Sequence, residues 1–294
     1  MRPHPAGPLH ADVVSSHENA ARPATADDLN RLAPIVWPAS ALRNGHGALE
    51  IGGVDVRDAV TEYGSPLFVF DEADLRARAR RYRAAYVGAG AGIVYYAAKA
   101  FLCTAIARWV TEEGLGVDVA SGVELAPGRK DPDRLLLHGN NKSMAEIEEA
   151  VAARVGRIVI DSFEDIVRVA DAAGRAGVVQ PVLVRVTVGV EAHTHEFIAT
   201  AHEDQKFGFS LANGDALEAV RRIVGLPSLA LLGLHSHIGS QIFDTAGFEV
   251  SAHRLVGLAA AVRDELSRHP LVDRHESDSA EGATIAYLGS RDIA

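Results

Sequence analysis

Cysteine is almost missing from this 294-residue chain: the single Cys103 excludes an internal disulfide framework and suits a reducing compartment. Basic residues are in deficit, 29 lysines and arginines against 39 aspartates and glutamates, and the net charge of -10 argues against a nucleic-acid surface. Long apolar runs are lacking too, none reaching the roughly 20 residues that span a bilayer. The first 25 or so residues carry Pro, His and Ser but no apolar core of the kind a signal peptide needs. These absences point to a cytoplasmic protein with a small-molecule partner, bound neither to membrane nor to nucleic acid. With 48% hydrophobic residues the composition is that of a globular chain, long enough for one barrel-sized domain or two smaller ones.

Regular order begins late. Residues 1–30 read as a flexible tail without periodicity. Leu49 to Val56, with Gly52-Gly53 at its centre, reads as a strand or hairpin, Val60 to Tyr63 as a helical turn, and Pro66 to Asp71 as the first convincing strand. Strands and helices then alternate. Strands are predicted over Gly92–Ala98, Gly116–Ala120, Arg134–His138, Arg157–Asp161, Pro181–Val188 and Leu229–His237. Asp71 is placed to cap the helix from Ala73, Ser143 with Glu146 forms a capping-box pattern, and Ser162 with Asp165 repeats that spacing. Such alternation indicates a parallel sheet with crossover helices, doubly wound or closed as a barrel. Six units precede a polar, irregular stretch over residues 267–294, in which only Ile285 to Leu288 resembles a strand. The stretch 31–266 is therefore expected to be an α/β domain, with either a doubly wound sheet or a barrel about two units short of eight.

The stretch Val94-Tyr-Tyr-Ala97-Ala-Lys99 ends an apolar strand on a lysine. At the carboxyl end of a parallel strand a lysine can form a Schiff base with a carbonyl, a role that burial favours by preferring the neutral amine. The alternative is a side chain that snorkels to solvent. Asp118 and Arg185 lie inside apolar strands, where a charge must be paired or face a polar cavity. Either both face a charged ligand or they pair with each other. In His235-Ser-His237-Ile-Gly239-Ser240, the glycine turn with the Ser240 hydroxyl can hold an anion, and His237 can stack on a flat ring. The paired histidines His235/His237 and His193/His195 admit zinc as a rival, but no acidic ligands follow at a matching spacing, so no metal is assigned. Cys103 reads as a small core residue.

Several motifs in order resemble one family. Tyr96-Ala97-Ala-Lys99-Ala, Asp118-Val-Ala-Ser121 with Glu124, His138-Gly-Asn-Asn-Lys142-Ser143, Val190-Glu-Ala-His-Thr-His195, Lys206-Phe-Gly208 and His235-Ser-His-Ile-Gly-Ser-Gln241 are similar to the diaminopimelate decarboxylases, members of the alanine-racemase-like, fold-type III class of pyridoxal-phosphate enzymes. The resemblance runs from about Leu29 to Leu266. It implies a (β/α)8 TIM-barrel-type domain, pyridoxal 5'-phosphate as cofactor, and decarboxylation of meso-diaminopimelate to lysine. It also implies site residues: Lys99 holding the cofactor covalently, His237 stacked on its ring, Ser240 on its phosphate, and Ala97, Asp118 and Arg185 near it. In the family the active form is a homodimer.

The chain departs from the family pattern in three places. The helix after Glu124 is interrupted at Pro127-Gly128. The glycine triplet that wraps the cofactor phosphate, expected after the last helix, is missing. So are the Glu-Pro-Gly-Arg element, whose glutamate pairs with the ring nitrogen, and the C-terminal β-domain. The expectation is a C-terminally truncated barrel, a poor or inactive decarboxylase by itself, with the family's dimer in doubt. A non-catalytic pyridoxal-phosphate-binding barrel or a non-functional gene remnant are the alternatives.

Overall fold

The computed structural model describes residue 25 and residues 30–34, 36–88, 92–122, 131–189, 207–239, 246–268, 272–278 and 283–288. It divides into a first unit ending at Ala77 and a second beginning at Arg78. In the first unit β1 (Leu42–Arg43), β2 (Leu49–Ile51) and β3 (Val54–Asp55) form a small antiparallel sheet. Gly52 and Gly53 turn β2 into β3, as expected of the hairpin. The helix α1 (Val56–Tyr63) is longer than the single turn expected, because Asp55 caps it by accepting from the Arg57 amide.

Pro66 to Asp71, expected as the first strand, joins no ladder among the described residues. Phe68 is 87% exposed, and Leu67, Val69 and Phe70 are exposed with it. Apolar, β-prone residues make a strand only where a neighbouring strand takes up their backbone hydrogen bonds. Asp71 does act as foreseen, accepting from the Asp74 amide at 3.0 Å to open α2 (Glu72–Gly88).

The second unit holds the parallel sheet. Its strands are β4 (Tyr95–Ala97), β5 (Gly116–Val119), β6 (Leu135–Leu137), β7 (Arg157–Ile160), β8 (Gln180–Thr187), the short β9 (Phe209–Ser210), which pairs with β8, and β10 (Leu229–His235). Along the main path β4, β5, β6, β7, β8 and β10 lie side by side in chain order, every pair parallel. A doubly wound sheet reverses its order at a switch point; this one does not, which is the order of a barrel wall. Six parallel strands are present, as the alternation predicts, with five helices between or after them among the described residues, and the described strands do not close into a ring.

Helices α3 (Thr104–Glu112), α4 (Met144–Ala152), α5 (Phe163–Ala176), α6 (Asp215–Val224) and α7 (Ala246–Arg268) connect or follow the strands. Each of α3 to α6 buries one apolar stripe, such as Ile166, Val169, Ala172 and Ala173 on α5 or Ala216, Ala219, Val220 and Ile223 on α6. β4 and most of β10 are half-buried, whereas β5, β6 and β7 are buried along most of their length, Val117, Val119, Leu135, Leu137, Ile158 and Ile160 among them. Each such side chain contributes about 1.5–3 kcal/mol by leaving water. Cys103 is not a core residue: it is exposed at the N-cap of α3, ahead of the stripe that Ile106 and Val110 bury.

Backbone closeness is extreme where α4 hands over to β7. A Cβ on Gly156 would lie 2.1 Å from the Asp133 carbonyl oxygen, and the Gly156 amide donates to the Pro132 carbonyl at 2.8 Å. Gly156→Ala is expected to destabilise the chain by about 1–3 kcal/mol or more, read as a fall in the urea midpoint at unchanged m-value. An unchanged midpoint would contradict this packing. Downstream, the stretch read as irregular holds an antiparallel hairpin, β11 (Val272–Asp278) with β12 (Ala283–Leu288). Polar alternation such as Asp-Arg-His-Glu-Ser hides a strand whose partner is only five residues further on.

Candidate functional site

Because all six strands run the same way, their carboxyl ends form one rim, and loops there carry ligand-binding groups in such sheets. The pairing register brings the expected residues together. Ala97 on β4 is paired with Asp118 on β5, and Arg185 on β8 with His235 on β10. Lys99 follows β4 on a single 3-10 turn (Ala98–Ala100) and is exposed. The shielding from water that the lysine chemistry favours is therefore not supplied by the described residues. His138 follows β6, its amide donating to the Val119 carbonyl at 2.7 Å. Asp161 follows β7 directly. His237 lies two residues beyond the end of β10 and is exposed on one side.

His237 reports how these groups converge. Its pKa is lowered, first by partial burial and then by the charges of Lys99, Arg185 and His138, with Asp118 acting the other way. His235 is held down to about 3 by deeper burial and by His138, Arg185 and His237, so at neutral pH it is an uncharged imidazole. The rings of His138 and His235 meet edge to face, centroids 4.6 Å apart. His138 Nδ1 stands 3.5 Å from Asp118 Oδ1. Asp118 Oδ1, His138 Nε2 and His235 Nδ1 are all buried without a hydrogen-bond partner among the described residues. Buried polar atoms are rarely left so, and three around one spot make a cradle for a polar ligand.

Two expectations change. Arg185 and Asp118 do not pair with each other: Arg185 Nη1 donates to Asp161 Oδ1 at 2.9 Å, and Asp118 faces His138 instead. The reason is position, since β8 neighbours β7, whose end carries Asp161, whereas β5 lies two strands further away. Paired histidines on one strand face are not formed either, because β10 ends at His235. Ser240, Glu124 and the segment with His193 and His195 lie outside the described residues.

Three groups escaped the sequence reading. Asp161 follows an apolar strand just as the noticed acidic and basic residues do, and the same logic of a charge at a strand end could have found it. Lys142 stands in the family motif and Asp165 in a capping pattern, but nothing local signals that they are buried as a pair, since a lysine in a polar loop reads as solvated. In the fold Lys142 is 2% exposed, and its Nζ donates to the Gly139 carbonyl at 2.6 Å, the Val159 carbonyl at 2.9 Å and Asp165 Oδ2 at 2.6 Å.

A lysine, an acid, a guanidinium and an imidazole around unsatisfied polar atoms suit a charged, planar, carbonyl-bearing cofactor. Comparison with known proteins agrees. Residues 72–269 match the family model described as pyridoxal-dependent decarboxylase, pyridoxal binding domain. The chain is 52% identical to a diaminopimelate decarboxylase of Mycobacterium leprae over 99% of its own length and 62% of the relative's. It is 45% identical to that of Bacillus subtilis over 76% of the chain and 52% of the relative. Among solved structures, the diaminopimelate decarboxylase from M. jannaschi superposes with a TM-score of 0.72 at 26% identity, covering 78% of this chain and 54% of that one. The chain thus spans about three fifths of the length of the Mycobacterium relative. With two thirds of its residues inside the family model, and its strand order and rim consistent with it, the chain belongs to the pyridoxal-dependent decarboxylase family.

Proposed function

We propose that this chain holds pyridoxal 5'-phosphate through Lys99 and carries the cofactor-holding part of a meso-diaminopimelate decarboxylase acting in lysine biosynthesis in the cytoplasm. The observation that supports it most is the convergence of Lys99, Asp118, His138 and Arg185 on His237 at one rim of the sheet. When bound, the cofactor supplies a carbonyl for an amine and a ring that accepts the electrons released as a carboxylate leaves. The chain's own residues do the rest. Lys99, exposed beside the rim, offers its amine to the carbonyl. Its neighbour Ala97, with Asp118 across the ladder, forms the wall behind it. His237 presents a flat ring, Arg185 keeps a fixed positive charge at the anionic ligand's side, and neutral His235 adds hydrogen-bonding capacity without a charge. Ser240 is assigned to the phosphate. Diaminopimelate as the substrate follows the names of the relatives.

Lys99→Ala tests the reading. Purified chain incubated with pyridoxal phosphate and reduced with borohydride is expected to gain one pyridoxyl group, mapped to the Lys99 peptide, and the variant to gain less than about a tenth of that. No adduct on the unaltered chain overturns the proposal. Carbon dioxide release from meso-diaminopimelate, compared with ornithine and arginine, then tests the substrate; an adduct without any release favours a non-catalytic cofactor-binding barrel.

A further inference from the structure

Beneath the rim runs a chain of buried charges, of which the proposed site uses only the last, Arg185. Lys142 pairs with Asp165 at 2.6 Å, Asp165 Oδ2 also accepts from the Asp161 amide at 3.1 Å, and Asp161 pairs with Arg185 at 2.9 Å. Asp161 and Arg185 are 5% and 8% exposed. The two carboxylate oxygens of Asp161 have different tasks. Oδ1 takes the Arg185 guanidinium, while Oδ2 accepts from the Gly208 amide at 3.0 Å.

Gly208 is part of the same lock. Its φ of +73° is a conformation that favours glycine, and a Cβ there would lie 2.8 Å from the Arg185 carbonyl oxygen. The Phe207 ring covers the guanidinium at 4.6 Å, and the Thr187 hydroxyl donates to the Phe207 carbonyl. Arg185 is thus held by a carboxylate on one side and an aromatic face on the other, each tied to the same short segment leading into β9.

A structural ion pair is the plain explanation, yet such a pair seldom stabilises a fold more than apolar side chains of the same volume. The arrangement also does something that charge neutrality does not require: it gives Arg185 one orientation beside His235 and His237. We propose that Asp161 is a positioning residue, which fixes Arg185 at the cofactor rim and couples it to the Phe207-Gly208 segment. The inference rests on the proposed function for the ligand that Arg185 serves, but not for the geometry.

Three variants of the full chain test it: Asp161→Glu, Asp161→Asn and Arg185→Gln, with the double variant of the last two. Asp161→Glu keeps the charge and moves the carboxylate by one methylene; misplacement of that order is expected to weaken pyridoxal phosphate binding about tenfold. Wild-type affinity in Asp161→Glu would show that only charge matters and would overturn the proposal. Asp161→Asn and Arg185→Gln should each weaken binding about tenfold and the double variant no further, because residues acting as one unit are not additive. Losses that multiply to about a hundredfold overturn it. A cofactor-free arm reads the Arg185 side-chain N–H resonances by NMR. They should be resolved in the wild type and lost in Asp161→Asn while core amide signals stay; unchanged Arg185 signals count against the proposal. If the wild-type chain binds no pyridoxal phosphate, the proposed function falls and these resonances alone decide the positioning.

Discussion

Lys142→Met is expected to cost about 3–5 kcal/mol, a large part of the roughly 5–15 kcal/mol by which domains are stable. The side chain of Lys142 is sealed at 2% exposure, and its ammonium donates to two carbonyls and one carboxylate, so all three protons are engaged. Removing the cation leaves Asp165, itself buried, with a negative charge that the Asp161 amide alone does not offset. An uncompensated buried charge is far costlier than a pair that was never there. Lys142→Met combined with Asp165→Leu should therefore lose less than the two single losses added together. Chemical denaturation checks both statements: a Lys142→Met midpoint within experimental error of the wild type would sink the argument. The consequence reaches the rim, because Lys142 holds the Gly139 carbonyl next to His138, and Asp165 holds the amide of Asp161.

Acid should weaken the fold through His235. Its ordinary value of 6.5 falls to about 3 in the native state, by burial first and then by the neighbouring His138, Arg185 and His237. Below pH 6.5 the unfolded chain takes up a proton that the native chain refuses, so stability from this group is complete above that pH and is lost as pH falls toward about 3. The slope is at most about 1.4 kcal/mol per pH unit across that window. His237, lowered in the same direction, adds to it with the same sign. His235→Gln is expected to flatten the pH dependence of the unfolding free energy between about pH 6.5 and 4.5, above the range where most carboxylates titrate. A slope as steep in the variant as in the wild type would assign acid sensitivity elsewhere. At neutral pH the same depression keeps His235 from acting as a proton donor in its charged form.

The clearest parts of the sequence were those governed by local rules. Ser143 and Glu146 form their capping box, with the Ser143 hydroxyl accepting from the Glu146 amide and the carboxylate reaching back to the Ser143 amide. Ser162 caps α5 in the same way, accepting from the Asp165 amide. Its Asp165 departs from the box because a nearer charge, Lys142, claims the carboxylate. The six strands were legible because buried strands read as short apolar runs; five came out shorter than expected, whereas β8 kept its length and moved by one residue. Pro66 to Asp71 shows the limit of that signal: an apolar run says that burial is favourable, and says nothing of which neighbour provides it.

By itself the sequence determined which segments alternate, where the helices start, and that a lysine, an acid, an arginine and histidines stand at strand ends. Those are matters of periodicity, capping and composition, all settled within a few residues. Only the tertiary structure decided who faces whom. Arg185 meets Asp161 across 24 residues and Lys142 meets Asp165 across 23, because strand order, rather than chain distance, makes β6, β7 and β8 neighbours. The histidine that the fold neutralises, the lysine it buries and the lysine it leaves exposed look alike in sequence. Burial and pairing distinguish them, and both are properties of the packed chain.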